Sequence, residues 1–370
     1  MTERVKAVWI DLDNSPHVPL FIPVIRHYQS VSNRRPLVLT ARNHAQTLEL
    51  LQNAGLDHQT KIIGLHYGKS KVLKLYGLAV RALQLAAYIR TQKKNGIDVA
   101  VALSHGSRTM VIAAWLLGIP VITMYDYEFT ETKIFNTLSE MVLVPEKIPD
   151  MVLDRIGLDP KKRFKYKGYK EELYLHDYRP DEHFWRKVET ENNCRIDTEK
   201  IIVTLRPPAS TANYHNEQSE AVLKSLIEKL LGREDVFTLI LPRTPEQRRE
   251  IETFINEHAF DAAHRETNYL IPKRAINGLD LAYASDLLIS GGGTMNREAA
   301  LLGVPVYSIF AGEQGALDQY MEEAGMIRFI RSPEAIERIV LRKRLRGEAP
   351  HQISQSVEKT VIEKIEMFTR

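Results

Sequence analysis

Short runs of apolar, β-branched residues alternate along this chain with longer stretches whose apolar positions recur at helical spacing. VKAVWIDL (5–12), PLVLTA (36–41), VAVAL (99–103), PVITMY (120–125) and MVLVP (141–145) read as strands. Between them PVIRHYQ (23–29), AQTLELLQNAG (45–55) and residues 107–117 read as helices, the second stopped by a glycine. Residues 154–200 lose this rhythm, apart from a short strand at 163–167, and read as a crossing between domains. A second series follows, with strands at 200–205, 236–242, 287–290, 304–310 and 326–330 and helices at 217–232 and 245–259. A last helix, 354–368, is expected to pack back on the first half.

Strand–helix alternation of this kind indicates parallel sheets covered on both faces. The expected architecture is α/β, with two Rossmann-like doubly wound domains at 1–170 and 171–350 and a C-terminal helix within 351–370. Ligands bind outside the carboxyl ends of such strands, so the cleft between the two domains is the expected active site.

Composition narrows the classes. The 50 Lys and Arg nearly balance the 47 Asp and Glu, for a net charge of +3, which excludes a strongly basic nucleic-acid coat. The lone Cys194 can form neither an internal disulfide nor a multi-cysteine metal site, so a reducing, cytoplasmic setting is expected. The N-terminus passes from charge directly into a strand and does not read as a secretory signal, and no apolar run is long enough to span a membrane.

The most informative stretch is SDLLISGGGTMNREAALLGVP. A buried strand ends at Ser290, Gly291, Gly292 and Gly293 follow, and a helix is expected over 294–302. Glycines let backbone amides approach a ligand, and the helix start adds partial positive charge, a combination that holds phosphate. Ser290 and Thr294 offer hydroxyls, and Glu298 lies where a carboxylate can take both hydroxyls of a ribose. A tight strand–helix turn with no ligand is the alternative. In the loop after the 200–205 strand, Arg206, Ser210 and Thr211 are further phosphate candidates, with Arg243 after the next strand.

This stretch resembles the nucleotide-sugar site of the GT-B superfamily. It is similar to the murein-synthesis N-acetylglucosaminyltransferase and to non-hydrolysing UDP-N-acetylglucosamine 2-epimerases. The resemblance implies that the glycine loop holds the diphosphate and that Glu298, five residues before Gly303-x-Pro305, holds the ribose. It also places Gln314, Asp318 and Gln319 near the donor sugar. Over its whole length, through WIDLDNSPHVPLFIPVI, GYKEELYLHDYRPD and SGGGTMNREAALLGVP, the chain resembles the DUF354 family of uncharacterised GT-B-like proteins.

The first strand runs into DLDNSPHVP, where His17-Val18 resembles a His-Val step of GT-B transferases, although the glycines expected before it are replaced by Asp11, Asp13, Asn14, Ser15 and Pro16. Histidine can accept a proton from an acceptor hydroxyl near neutral pH. His17 and Asp13 are therefore candidate bases, with Asn14 as a substrate contact. Two carboxylates there would repel a diphosphate unless a cation or an arginine lies between them. In the alternative, Asp13 or Ser15 caps the next helix and His17 serves a backbone group. Asp11 and Asp13 also fit the Asp-x-Asp spacing of haloacid-dehalogenase phosphatases, but the later acidic pair those enzymes need is absent.

His105-Gly106-Ser107 resembles a His-Gly step of the epimerases, which carry acids near this turn and after the next strand. Here Ser107 replaces an aspartate, while Asp126 and Glu128, at the end of the next strand, remain candidate acids or bases, and His105 a substrate contact.

Residues 61–94 hold eight Lys and Arg and no acid, interleaved with apolar residues. They are expected either to contact an anionic membrane from the cytoplasmic side or to form a buried helix with basic ends. The basic run at 342–347 reads as a solvated helix end. No cofactor or metal site is indicated, although Asp11 and Asp13 leave a magnesium site open. The reading is a glycosyltransferase using a UDP-type donor and a glycan or lipid-linked acceptor. A 2-epimerase and a nucleotide- or glycan-binding protein without turnover are its alternatives.

Overall fold

The computed structural model describes residues 5–30, 32, 35–44, 46–65, 71–208, 217–258, 268–274, 276–345 and 353–369. Its chain divides into two compact units. Met1–Asp177 forms the first with Gly315–Leu317 and Ser354–Arg370, and Tyr178–Gln314 forms the second with Asp318–Ile353.

In the first unit, strands β1 (Val5–Leu12), β2 (Leu37–Ala41), β3 (Thr60–Ile62), β4 (Ile97–His105), β5 (Val121–Met124), β6 (Met141–Pro145) and β7 (Arg163–Tyr166) form one sheet. Its order is β3-β2-β1-β4-β5-β6-β7 and every pairing is parallel. The helices are α1 (His17–Gln29), α2 (Thr47–Asn53), α3 (Lys71–Lys94), α4 (Arg108–Leu117), α5 (Lys133–Leu138), α6 (Asp150–Arg155) and α7 (Glu172–Leu175). Ala7, Val8, Trp9, Ile10 and Leu12 of β1 are all buried, because helices cover both faces of a parallel sheet.

In the second unit, β8 (Ile201–Arg206), β9 (Val236–Ile240), β10 (Tyr269–Leu270), β11 (Leu287–Ser290), β12 (Val306–Ser308) and β13 (Arg328–Phe329) pair in parallel in the order β10-β9-β8-β11-β12-β13. With them run α8 (Phe184–Asn192), α9 (Glu217–Leu231), α10 (Pro245–Glu257), α11 (Gly278–Ala284) and α12 (Gly293–Leu301); α13 (Ala316–Glu323) belongs to the second unit from Asp318 onward. Val203, Leu205, Leu226, Leu230, Ile255 and Ile289 belong to its core. The last helix, α14 (Ser356–Thr369), lies in the first unit, where Glu358 meets His176 at 3.0 Å and Glu366 meets Arg35 at 3.2 Å.

Both sheets reverse direction of strand order at one place, between β1 and β4 and between β8 and β11. Such switch points open a crevice at the carboxyl ends of the strands. Asp11 pairs with Ser104 at the first, and Arg206 pairs with Ser290 at the second.

Three expectations need correction. The first helix begins at His17 rather than residue 23, and Pro23 lies in its interior. Neither Asp13 nor Ser15 caps that helix: Pro16 occupies the cap position without a side-chain bond, and Ser15 Oγ accepts from Gln46 N at 3.1 Å. Residues 342–345 form no helix; Lys343 is drawn to the buried Asp286 at 2.9 Å, and the Arg344 guanidinium lies 5.3 Å from the Tyr283 ring centroid.

Candidate functional site

In the first unit, the switch point is built on a buried carboxylate. Asp11 Oδ1 accepts from Arg81 at 2.8 Å and from Thr40 Oγ1 at 2.6 Å, and Oδ2 accepts from Arg81 at 3.0 Å and from Ser107 Oγ at 2.5 Å. Arg81 also donates to the Ile63 carbonyl at 2.9 Å and to Thr109 Oγ1. A fork-to-fork pair with these additional bonds satisfies two charges that would otherwise be costly to bury. Gly64 is required beside it: its φ is +91°, and a Cβ there would stand 2.6 Å from Arg81 Cδ.

The same guanidinium reaches Asp13, with Nη1 3.0 Å from Oδ1, while Arg42 Nε lies 3.3 Å from that oxygen. An arginine therefore occupies the position between the two acids. Asp11 is fully engaged, which argues against it as a phosphatase nucleophile. Burial pushes the Asp13 carboxyl up to about 6, with Asp11 adding to the rise and Arg81, Arg42 and Arg108 opposing it. Neither Asp13 Oδ1 nor Arg42 Nε has a well-formed hydrogen bond, so their proximity is an ion pair of poor alignment.

These residues border a cavity of about 480 Å³ within the first unit. It brings together Asp13, Asn14, His17, His105 and Asp126, five residues singled out from sequence, and adds Arg42, Arg81 and Arg108. The rings of His17 and His105 meet edge to face with centroids 5.3 Å apart. His17 Nδ1 is buried without a hydrogen bond, and His105 Nε2 lies 3.4 Å from Asp126 Oδ1, too far or too poorly aligned to form a good one. Asp126 Oδ2 lies 2.7 Å from Lys170 Nζ.

Burial holds both imidazoles below their ordinary range. His105, Lys170, Arg42 and Arg81 depress His17 further; Lys170 depresses His105, against the opposing Asp126 and Glu171. At neutral pH both rings are therefore neutral and only weakly basic. Ser107 is committed elsewhere: besides bonding Asp11, its hydroxyl caps α4 by accepting from Met110 N at 3.3 Å.

The second unit's switch point carries the glycine loop. Here α12 begins at Gly293, one residue earlier than expected, and no side chain caps it. Two of the loop amides are already used: Gly291 N donates to the Arg206 carbonyl at 2.9 Å and Gly292 N to Ser290 Oγ at 3.0 Å. The glycines are enforced by close approach. A Cβ on Gly291 would stand 2.6 Å from Pro208 Cα, and one on Gly292 would stand 2.7 Å from an Arg243 terminal nitrogen.

Arg206 ends β8 beside this loop. Its guanidinium contacts Met295 Sδ at 3.5 Å and forms no ion pair among the described residues. Burial lowers its hold on the proton, and the charge of Glu298 partly restores it. A half-buried cation without a bound carboxylate among the described residues, next to an uncapped helix start, suits an anionic ligand.

The remaining candidates have partners of their own. Arg243 Nε donates to the Pro207 carbonyl at 2.9 Å. Asp318 accepts from Arg297 at 2.9 Å, and Gln314 is held by Glu322 and Arg331 at 2.9 and 2.7 Å. Gln319 donates to the Gln314 carbonyl at 3.1 Å. Ser210 and Thr211 lie outside the described residues.

Sequence reasoning did not single out Arg81 or Lys170. Arg81 carried a signal: it is the lone charge between Leu75 and Ile89. Lys170 had none beyond its place in the irregular crossing.

A family model described as "Protein of unknown function (DUF354)" matches residues 6–362. An uncharacterized protein of Methanocaldococcus jannaschii is 31% identical over 326 residues, covering 85% of each chain. Among solved structures, the UDP-GlcNAc 2-epimerase of the same organism, in complex with UDP-GlcNAc and UDP, aligns over 97% of this chain and 99% of its own. Its TM-score is 0.71 at 14% identity. A UDP-glucosyltransferase of Polygonum tinctorium aligns over 100% of this chain and 94% of its own, with a TM-score of 0.55 at 13% identity. The fold is GT-B-like: two α/β domains, each with a parallel sheet.

Proposed function

The chain belongs to the DUF354 family, and from that premise we propose that it is a nucleotide-sugar enzyme, a glycosyltransferase moving a sugar from a UDP-type donor to a glycan or lipid-linked acceptor. The observation that carries this reading is Arg206, a half-buried guanidinium with no ion pair among the described residues, beside the uncapped start of α12. A diphosphate supplies the missing negative charge, and Glu298, one turn into α12, takes the ribose hydroxyls.

The first unit's cavity supplies the acid–base chemistry. An acceptor hydroxyl attacks the anomeric carbon as the bond to the diphosphate oxygen breaks. Its proton passes to His17 or Asp13, one a neutral imidazole and the other a carboxyl pushed up to about 6. Arg206 and the helix amides take up the charge on the departing diphosphate.

An epimerase is the second reading. Asp13 and Asp126 border one cavity and could remove and return a proton, which favours it. Ser107 weighs against it, because the turn that carries an acid in those enzymes here carries a hydroxyl already spent on Asp11 and the α4 cap. UDP, GDP, TDP and CMP sugars in a thermal-shift screen test the shared premise: a bound donor at 100 times its Kd raises stability by about 2.7 kcal/mol. Incubation with the hit then separates the two readings, since epimerisation needs no acceptor. No stabilisation by any nucleotide sugar would refute both.

A further inference from the structure

The proposal concerns α3. A helix on a protein surface ordinarily turns its apolar residues inward and polar ones outward. On α3 the inward residues Ala82, Leu85, Ala86 and Ile89 are buried, as is Arg81, whose charge is spent on Asp11 and Asp13. Several outward residues are apolar as well: Leu73, Leu75, Tyr76 and Leu83 are 50, 69, 61 and 61% exposed, alongside the exposed Gln84 and Arg90. Leu65, just before the helix, is 64% exposed. Apolar surface gathered on one segment in this way marks an interaction site.

Two observations identify the partner. Residues 61–94 carry no acid, and besides Arg81, which Asp11 and Asp13 neutralise, and Lys93, which pairs with Asp98 at 3.1 Å, they carry six Lys and Arg, while the whole chain carries a net +3, so positive charge is concentrated here. A second copy docking symmetrically through α3 would bring two acid-free basic segments together, which Coulomb repulsion opposes. An anionic lipid surface meets both requirements: it buries apolar side chains and attracts each nearby Lys or Arg by about 1 kcal/mol. No described helix is long and apolar enough to cross a membrane, so the contact lies at the surface.

We propose that the outer face of α3, together with Leu65, seats this protein on an anionic lipid bilayer. The patch continues to the first unit's cavity, whose wall includes Leu65, Gly77 and Leu78. Seating the patch therefore brings the wall of that cavity to the lipid headgroups, within reach of a substrate anchored in the bilayer. The inference goes beyond the nucleotide-sugar reading and does not depend on it.

Flotation of the full chain with vesicles tests it, using phosphatidylcholine alone and phosphatidylcholine mixed with phosphatidylglycerol. The chain should float with the mixed vesicles, sink with the neutral ones, and be released by high salt. Leu75→Glu with Leu83→Glu should weaken binding at least roughly tenfold, since each change removes apolar burial and adds repulsion. Leu345→Glu, at a 95% exposed leucine of the second unit, should leave it unchanged. Melting temperature and nucleotide-sugar binding are followed in all variants, so a folding defect or failure of the donor reading is seen separately. Equal partitioning onto both vesicle types, unchanged binding by the double variant, or a solution dimer abolished by it would overturn the proposal.

Discussion

The Arg81 guanidinium grips both oxygens of Asp11, at 2.8 and 3.0 Å, and turns the same terminal nitrogen toward Asp13 at 3.0 Å. One buried cation thus neutralises a structural acid and faces a candidate catalytic one. Removing it leaves an uncompensated buried carboxylate. Arg81→Met should lower unfolding free energy by about 3–5 kcal/mol, measured by urea denaturation. Adding Asp11→Asn should recover part of that loss. Equal or greater damage in the double variant would show that the pair is not coupled as described.

Asp13 links the site to pH. Its carboxyl titrates near 6 in the folded chain against 3.8 ordinarily, so the native state holds a proton that the unfolded state releases. Stability from this group is therefore greatest below about pH 4, falls as pH rises toward about 6, and stays reduced above that. Asp13→Asn removes the dependence. Relative to wild type it should gain about 2–3 kcal/mol on moving from about pH 4 to pH 7, while losing turnover. Melting curves at both pH values check this, and a constant difference between the proteins would contradict it.

His17 and His105 should stay neutral at neutral pH. Both are held below the ordinary 6.5, so as pH falls below that value the unfolded state takes up protons that the native state refuses, and stability declines. Lys170 and Asp126 act oppositely on His105. Lys170→Met should raise its titration midpoint, and Asp126→Asn should lower it. Imidazole nitrogen resonances followed by NMR report each midpoint. Shifts of the same sign in the two variants would contradict the arrangement.

The glycine loop separates packing from binding. Gly291→Ala drives a Cβ into Pro208 backbone and should cost about 1–3 kcal/mol of stability. Gly292→Ala meets the flexible end of Arg243 instead, so its melting temperature should change less while nucleotide affinity falls. Thermal melts with and without UDP distinguish the two effects.

Much of this was legible from the chain. Strand–helix alternation gave both sheets, because parallel strands buried on two faces are nearly continuous apolar runs, as in Val8–Leu12. Asp13, Asn14, His17, His105 and Asp126 could be singled out because each follows or ends a strand, where this fold places ligands. The start of α1 falls earlier than the expected residue 23, because Pro23 is accommodated inside the helix. Arg81 and Lys170 were hidden for another reason. Arg81 reaches Asp11 across 70 positions and Lys170 reaches Asp126 across 44, and local spacing carries no trace of such pairings. The engagement of Gln314 with Glu322 and Arg331 was invisible in the same way.

The central claim is that Arg206 and the start of α12 bind a diphosphate, and calorimetric titration of UDP into the wild type and Arg206→Met tests it most directly. UDP should bind the wild type, and the variant should bind roughly tenfold to a hundredfold more weakly while melting at a similar temperature, because a charged hydrogen bond to the ligand is lost while the half-buried Arg206 has no ion pair to break among the described residues. Equal affinity in the two proteins, or no binding of any nucleoside diphosphate to the wild type, would contradict it.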